Sequence, residues 1–283
     1  MKIFIHAICV VVLLAGTSKL SSAQWPQYAT SRVPKTATGE PDLNAPAPRT
    51  PEGKPDFSGI WMNPRRAAPN PSGTGAPPLP GEVTPPADNG VNLFRDVGTG
   101  VEGGLPLRPW AADLVKKRQA DNSKDNPDAH CLPMGIMQFH NHGQPRKIAQ
   151  TRELIIIMYE ANFGLRQIFM DGRSLPGRDA EPWWYGYSVG RWEGDTLVVE
   201  TSGLIDEGWL DIIGNPLTDG ARVTERFRRP NFGNLEIEIT VDDPKAYTKP
   251  WTVTVKQRIQ PNEEMLEFIC IDKDATHYVG GQK

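Results

Sequence analysis

Glu225 breaks the pattern of its own segment. In Ala221–Phe227 the apolar residues Ala221, Val223 and Phe227 share one face by a period of two, and Glu225 falls among them. Arg222, Thr224, Arg226 and Arg228 take the opposite face. A carboxylate on a dry face is costly unless a cation, a set of donors or a proton meets it. The arginines of its own segment point away, but Arg166, Arg173 or His277 can serve from elsewhere. Glu225 then either forms a structural ion pair, returns to solvent through a β-bulge, or works as a general acid or base.

Asp171 and Arg173 flank Gly172 at the end of another extended run. An Asp there can accept a proton while an Arg holds an oxyanion or a substrate carboxylate. Asp-Gly is also a common turn, which offers a purely structural reason for the pair. Glu225, Asp171, Arg173 and His277 form the candidate catalytic set. The aromatic residues Trp183, Trp184, Tyr187 and Trp209, together with Arg166, form the candidate ligand-binding set. Aromatic faces stack on rings while indole N–H and phenol O–H groups fix orientation. Strand aromatics such as Tyr187 and Trp192 also pack cores, whereas Trp183 and Trp184 follow Pro182 in a polar stretch.

His140-x-His142, near His130 and Cys131, invites a metal reading. No carboxylate follows at a zinc-ligand spacing and Asn141-His142-Gly143 reads as a loop, so no metal is assigned. The chain has no P-loop and no His-Glu-x-x-His run. Neither a serine nucleophile nor a dinucleotide is assigned. Any reaction is expected to be cofactor-independent proton transfer.

The elements that must carry these residues are strands. Leu235, Ile237, Ile239 and Val241 alternate with Glu236, Glu238 and Thr240, and Trp251, Val253 and Val255 alternate with Thr252, Thr254 and Lys256. Leu154–Tyr159 reads as a central strand and Arg166–Met170 as the next. Tyr187–Trp192 and Thr196–Thr201 read as a hairpin through Glu193-Gly194-Asp195. Ala221–Arg228, Asn234–Val241, Trp251–Ile259 and Met265–Ile271 complete the set. Eight or nine strands at meander spacing predict a mainly all-β chain, an antiparallel up-and-down barrel or strongly curved sheet. Pro109–Ala120 is the one short helix expected, with its proline in the first turn.

Three regions follow: a leader over 1–23, a Pro/Gly-rich extension over 24–105 with a first strand near 56–62, and an antiparallel β domain over 106–283. In the leader, Lys2 precedes an apolar core from Ile8 to Ala15 and Ser21-Ser22-Ala23 supplies a small-x-small cleavage site. That core is too short to span a bilayer. The mature protein is expected to begin at Gln24, in the periplasm or outside the cell. Of 31 basic residues Lys2 and Lys19 would leave with the leader, so 29 face 34 acidic ones, a net charge of −5. No basic stripe suggests nucleic acid. Of three cysteines, Cys131 and Cys270 remain, and an oxidising compartment favours one disulfide between them. Free thiols, or Cys131 as a metal ligand beside His130, are the alternatives.

Ser58-Gly59-Ile60-Trp61 resembles the Gly-x-Trp signature on the first strand of lipocalins, barrels that hold small apolar ligands. A larger set of motifs resembles a family of exported bacterial proteins of unassigned function. It comprises Cys131-Leu132-Pro133-Met134-Gly135, Asp171-Gly172-Arg173, Gly190-Arg191-Trp192-Glu193-Gly194-Asp195-Thr196 and Thr224-Glu225-Arg226-Phe227. The resemblance implies secretion and a lipocalin-like sheet, and it carries over no catalytic residue. The expectation is a secreted protein that binds a small apolar or aromatic molecule in a barrel cavity. The alternative is an isomerase, cyclase, dehydratase or lyase using acid and base residues in that cavity.

Overall fold

Alternation of buried and exposed side chains bends the chain into a closed barrel. The computed structural model describes residues 33–64, 93–177 and 179–270. The expected leader, the run Pro69–Pro86 and His277 lie outside the described residues. In chain order the strands are β1 (Gly59–Met62), β2 (Arg146–Gln150), β3 (Leu154–Tyr159), β4 (Leu165–Phe169), β5 (Tyr187–Glu193) and β6 (Thr196–Ser202). They continue as β7 (Gly208–Trp209), β8 (Pro216–Leu217), β9 (Arg222–Arg228), β10 (Asn234–Asp242) and β11 (Trp251–Ile259). Helix α1 spans Pro109–Ala120, with its proline in the first turn as expected, and a second, shorter helix α2 spans Ile136–Asn141.

Nine strands close in the order β1-β11-β10-β9-β6-β5-β4-β3-β2, while β7 and β8 form a separate ribbon. Closure comes from β1, which pairs with β11 on one side and β2 on the other. The widest walls follow the period of two. Ile237 faces Val255, Ile239 faces Val253 and Val241 faces Trp251, all buried. Each such branched or aromatic side chain contributes roughly 1.5–3 kcal/mol by leaving water.

Two features depart from a plain meander. Strand β4 runs parallel to β5, because the chain crosses over between Phe169 and Tyr187 instead of turning back. The expected strand at Met265–Ile271 does not form: residues 261–270 are without strand. With β1 taking the place beside β11, the sheet offers that segment no free edge. Instead it runs back along the barrel, where Leu266 N donates to Glu160 Oε2 at 2.9 Å. It ends at a disulfide between Cys270 and Cys131, whose Cα atoms are 5.5 Å apart.

At the β1 end, Trp61 is fully buried and its indole Nε1 donates to Phe57 O at 2.9 Å. The guanidinium of Arg229 lies 4.8 Å from the Trp61 ring centroid and so covers that end of the core. Among the described residues no helix is long and apolar enough to cross a membrane.

Candidate functional site

The inward phase of five elements places polar groups together in the lumen. Glu225 on β9 points inward between Val223 and Phe227, and its cation is Arg166 on β4. Arg166 Nη1 donates to Glu225 Oε1 at 2.9 Å, and Nη2 donates to Oε2. The same guanidinium reaches Ser188 Oγ on β5 at 3.2 and 3.1 Å and Thr201 Oγ1 on β6 at 3.0 Å. Ser188 and Thr201 hydrogen-bond to each other at 2.8 Å. Every one of these side chains is buried.

The last member comes from outside the sheet. Gly135, at φ +81°, turns the chain into α2, which carries Gln138 and His140 into the barrel. His140 Nε2 lies 2.7 Å from Glu225 Oε1, and the ring sits 6.0 Å from Phe227 and 6.5 Å from Tyr159. Gln257 on β11 donates to the His140 carbonyl at 3.2 Å, and Gln138 donates to Trp209 O at 3.2 Å. Arg146, itself buried, donates to the carbonyls of His140 and His142 at the end of α2. This short helix is a plug: it fills lumen that the strands leave open.

Burial works against ionisation of Glu225, and Arg166 with the hydrogen bonds from His140 and Arg166 more than offsets it, holding the carboxyl at about 2. Burial lowers His140, assisted by the charges of Arg166 and Arg146 and opposed by Glu225. A neutral imidazole beside an acceptor-only carboxylate must donate its Nε2–H, which leaves Nδ1 as a buried lone pair. That Nδ1 has no hydrogen-bond partner among the described residues, nor have Gln138 Oε1, Asn141 Nδ2 and Gln257 Oε1. Burial also pushes the Tyr159 phenol up to about 12, beside Arg166.

A second cluster occupies the outer wall where β4 and β5 run parallel. Phe169 and Tyr187 stack with centroids 4.9 Å apart, and Trp183 lies 5.3 Å from Tyr187. Arg173 stands 4.0 Å from the Phe169 centroid and donates from Nη1 to Tyr187 OH at 3.0 Å. Asp171 accepts from Arg173 Nε at 2.8 Å and from Nη2 at 2.5 Å. Those hydrogen bonds hold its carboxyl below the ordinary range.

The fold thus divides the candidates of the sequence. Glu225 and Arg166 meet in the lumen; Asp171, Arg173, Trp183 and Tyr187 meet outside it. Trp184 is half-buried beside Trp183. Trp209 is buried, with the Arg118 guanidinium 4.1 Å from its ring centroid. His142 is buried against Phe94, with centroids 4.9 Å apart, and Cys131 is in the disulfide. No cluster of metal-ligating side chains occurs among the described residues. Two clefts of about 460 and 520 Å³ border Arg49 on the outside of the barrel, away from the lumen.

Sequence reasoning missed His140, Ser188, Thr201 and Arg146 as members of the lumen cluster. For the two hydroxyls a signal existed: Ser188 and Thr201 fall on the inward phase of their strands, as Glu225 does. It also passed over two literal motifs. Gly186-Tyr187-Ser188-Val189-Gly190 has the Gly-x-Ser-x-Gly spacing. Here, however, Ser188 lies within a strand instead of on a strand-to-helix elbow, and it bonds Arg166 and Thr201 instead of a histidine. Gly98-Thr99-Gly100-Val101-Glu102-Gly103 has the dinucleotide spacing. It lies on a single 3₁₀ turn, Val97–Gly100, outside any strand-to-helix unit. Comparison with protein-family models, curated proteins and solved structures finds no match.

Proposed function

We propose that this is an exported binding protein whose barrel takes a small molecule with an apolar body and a polar head. One observation carries the reading. The plug leaves three acceptors, His140 Nδ1, Gln138 Oε1 and Gln257 Oε1, buried without partners among the described residues. Each such atom costs about 1–3 kcal/mol, and a native fold retains one for a reason. A polar head that pairs with these atoms recovers that cost, while the body lies against the apolar wall. A barrel selected for stability alone has little use for a buried Glu–Arg–His network, since apolar residues of similar volume serve as well or better. The disulfide fits an oxidising compartment, in keeping with the expected leader.

Acid/base catalysis by Glu225 is the weaker reading. A carboxyl held at about 2 is a poor base at neutral pH, and both its oxygens are occupied by Arg166 and His140. Asp171, held low by Arg173, stands on the other side of the wall. The test is to purify the protein from its natural host without added ligand, extract it under denaturing conditions and identify small molecules by mass spectrometry. One dominant molecule with an apolar body and a polar end, at near one per chain, is the expected result. Bare polypeptide in native mass spectra, with no thermal shift from fatty alcohols, fatty amines or phenols, whose heads can donate to these acceptors, would sink the reading.

A further inference from the structure

We propose that the outer-wall cluster is a second binding site, one that takes a neutral saccharide ring. It is separate from the lumen and does not depend on the reading given for it. Trp183 is 45% exposed, which is unusual for a tryptophan fixed so firmly. Its backbone is held by Trp183 N to Gly203 O at 2.9 Å, Ile205 N to Trp183 O at 3.1 Å and Gly186 N to Trp183 O at 3.0 Å. Its ring leans on Tyr187 at an interplanar angle of 48°, on the solvent side of the Phe169–Tyr187 stack. The platform is therefore assembled before any ligand arrives, so little ordering entropy is lost on binding.

The chemistry of the rim selects the ligand class. Asp171 and Arg173 neutralise each other through a two-point contact. A charged ligand would have to break that pair. A bare aromatic ring would leave its remaining lone pairs and N–H groups unserved. A sugar ring meets both parts, because its axial C–H face lies on indole or phenol while its hydroxyls accept from Arg173 and donate to Asp171. Tyr187 OH, already oriented by Arg173, adds a further polar contact at the edge of the platform.

Isothermal titration of the full protein with soluble hexamers of β-1,4-glucose, β-1,3-glucose, β-1,4-xylose and β-1,4-N-acetylglucosamine tests this. At least one should bind one to one. Trp183→Ala and Arg173→Ala should each weaken it about tenfold, the size of one good ring or polar contact. Trp110 is equally exposed, at 47%, and lies on α1 with its indole bonded to Lys245 O. Trp110→Ala should therefore leave binding unchanged. If no hexamer binds, or if Trp183→Ala binds as wild type does, the site is not a saccharide site. Equal loss in Trp183→Ala and Trp110→Ala would mark nonspecific contact and overturn the proposal as well.

Discussion

Arg166 and Glu225 stand on strands with two others between them, yet their side chains meet in the lumen through two hydrogen bonds. The pair spans the barrel, so each charge depends on the other for its partner. Glu225→Gln leaves a buried guanidinium uncompensated and should cost about 3–5 kcal/mol. Removing both charges, as in Glu225→Gln with Arg166→Met, should restore most of that loss. Urea unfolding of the two variants beside wild type measures it. An unchanged midpoint for the single variant would mean that the pair is not closed in solution.

Acid should destabilise the fold before the carboxylates titrate. Burial, aided by the charge of Arg146, lowers His142 to about 4 from its ordinary 6.5, and His140 is lowered too. The unfolded chain then takes up protons that the folded one refuses. Stability is full above about 6.5 and falls as the pH drops toward 4, by roughly 3 kcal/mol for His142. Asp211 acts the other way, since burial raises it to about 6 and its contribution is lost as the pH rises through that value. Glu225 begins to add its own loss only below its ordinary value of 4.5. Unfolding free energies at pH 7.5 and 4.5 should therefore differ less in His142→Gln than in wild type. Equal slopes would show that His142 is solvated.

Strand periodicity made the barrel legible, because β9, β10 and β11 alternate strictly and bury one face each. The inward turn of Glu225 was legible for the same reason: a charge in an apolar phase stands out against its neighbours. Strand β2 was not legible, since its inward face begins with Arg146 and ends with Gln150, both of which look solvated. Nor was the plug. A helix of six residues, fewer than two turns, has no period to read, and the partner of His140 lies 85 residues away. His140-x-His142 suggested a metal only because spacing says nothing about the wall that a side chain meets. The parallel seam was hidden by the long connection between β4 and β5, whose polar residues give no direction.

Residues Cys131 and Cys270 tie the stretch before the plug to the end of the β domain, 139 positions apart. Chain-entropy bookkeeping puts the stabilisation at about 5 kcal/mol as an upper figure. Non-reducing peptide mapping of protein recovered from the periplasm or the medium should find both cysteines in one species. Its intact mass should correspond to a chain starting at Gln24. Cys131→Ser should lower the melting temperature by several degrees. Two freely alkylated thiols in the native protein would rule the link out and revive Cys131 as a metal ligand beside His130.

If α2 supplies the atoms that pair with the ligand's polar head, weakening the plug should weaken binding. Gly135 enters α2 at φ +81°, where a side chain is strained although the nearest obstruction to a Cβ, Trp209 O, is 3.7 Å away. Gly135→Ala should therefore cost about 1 kcal/mol of plug stability through the backbone alone. Apparent affinity scales with the fraction of protein that is competent to bind, so the same change should weaken it by up to about fivefold. Gly172 has a similar φ, +82°, and lies on the outer wall, so Gly172→Ala is the matched control with no effect on the lumen. Titration with retinol, a fluorescent polyene alcohol whose hydroxyl can donate to the lumen acceptors, reads all three proteins. Weaker binding in Gly135→Ala alone is the expected result. Tighter binding there would make α2 a competitor of the ligand instead of a wall of its site, and equal binding in all three would place the probe outside the lumen.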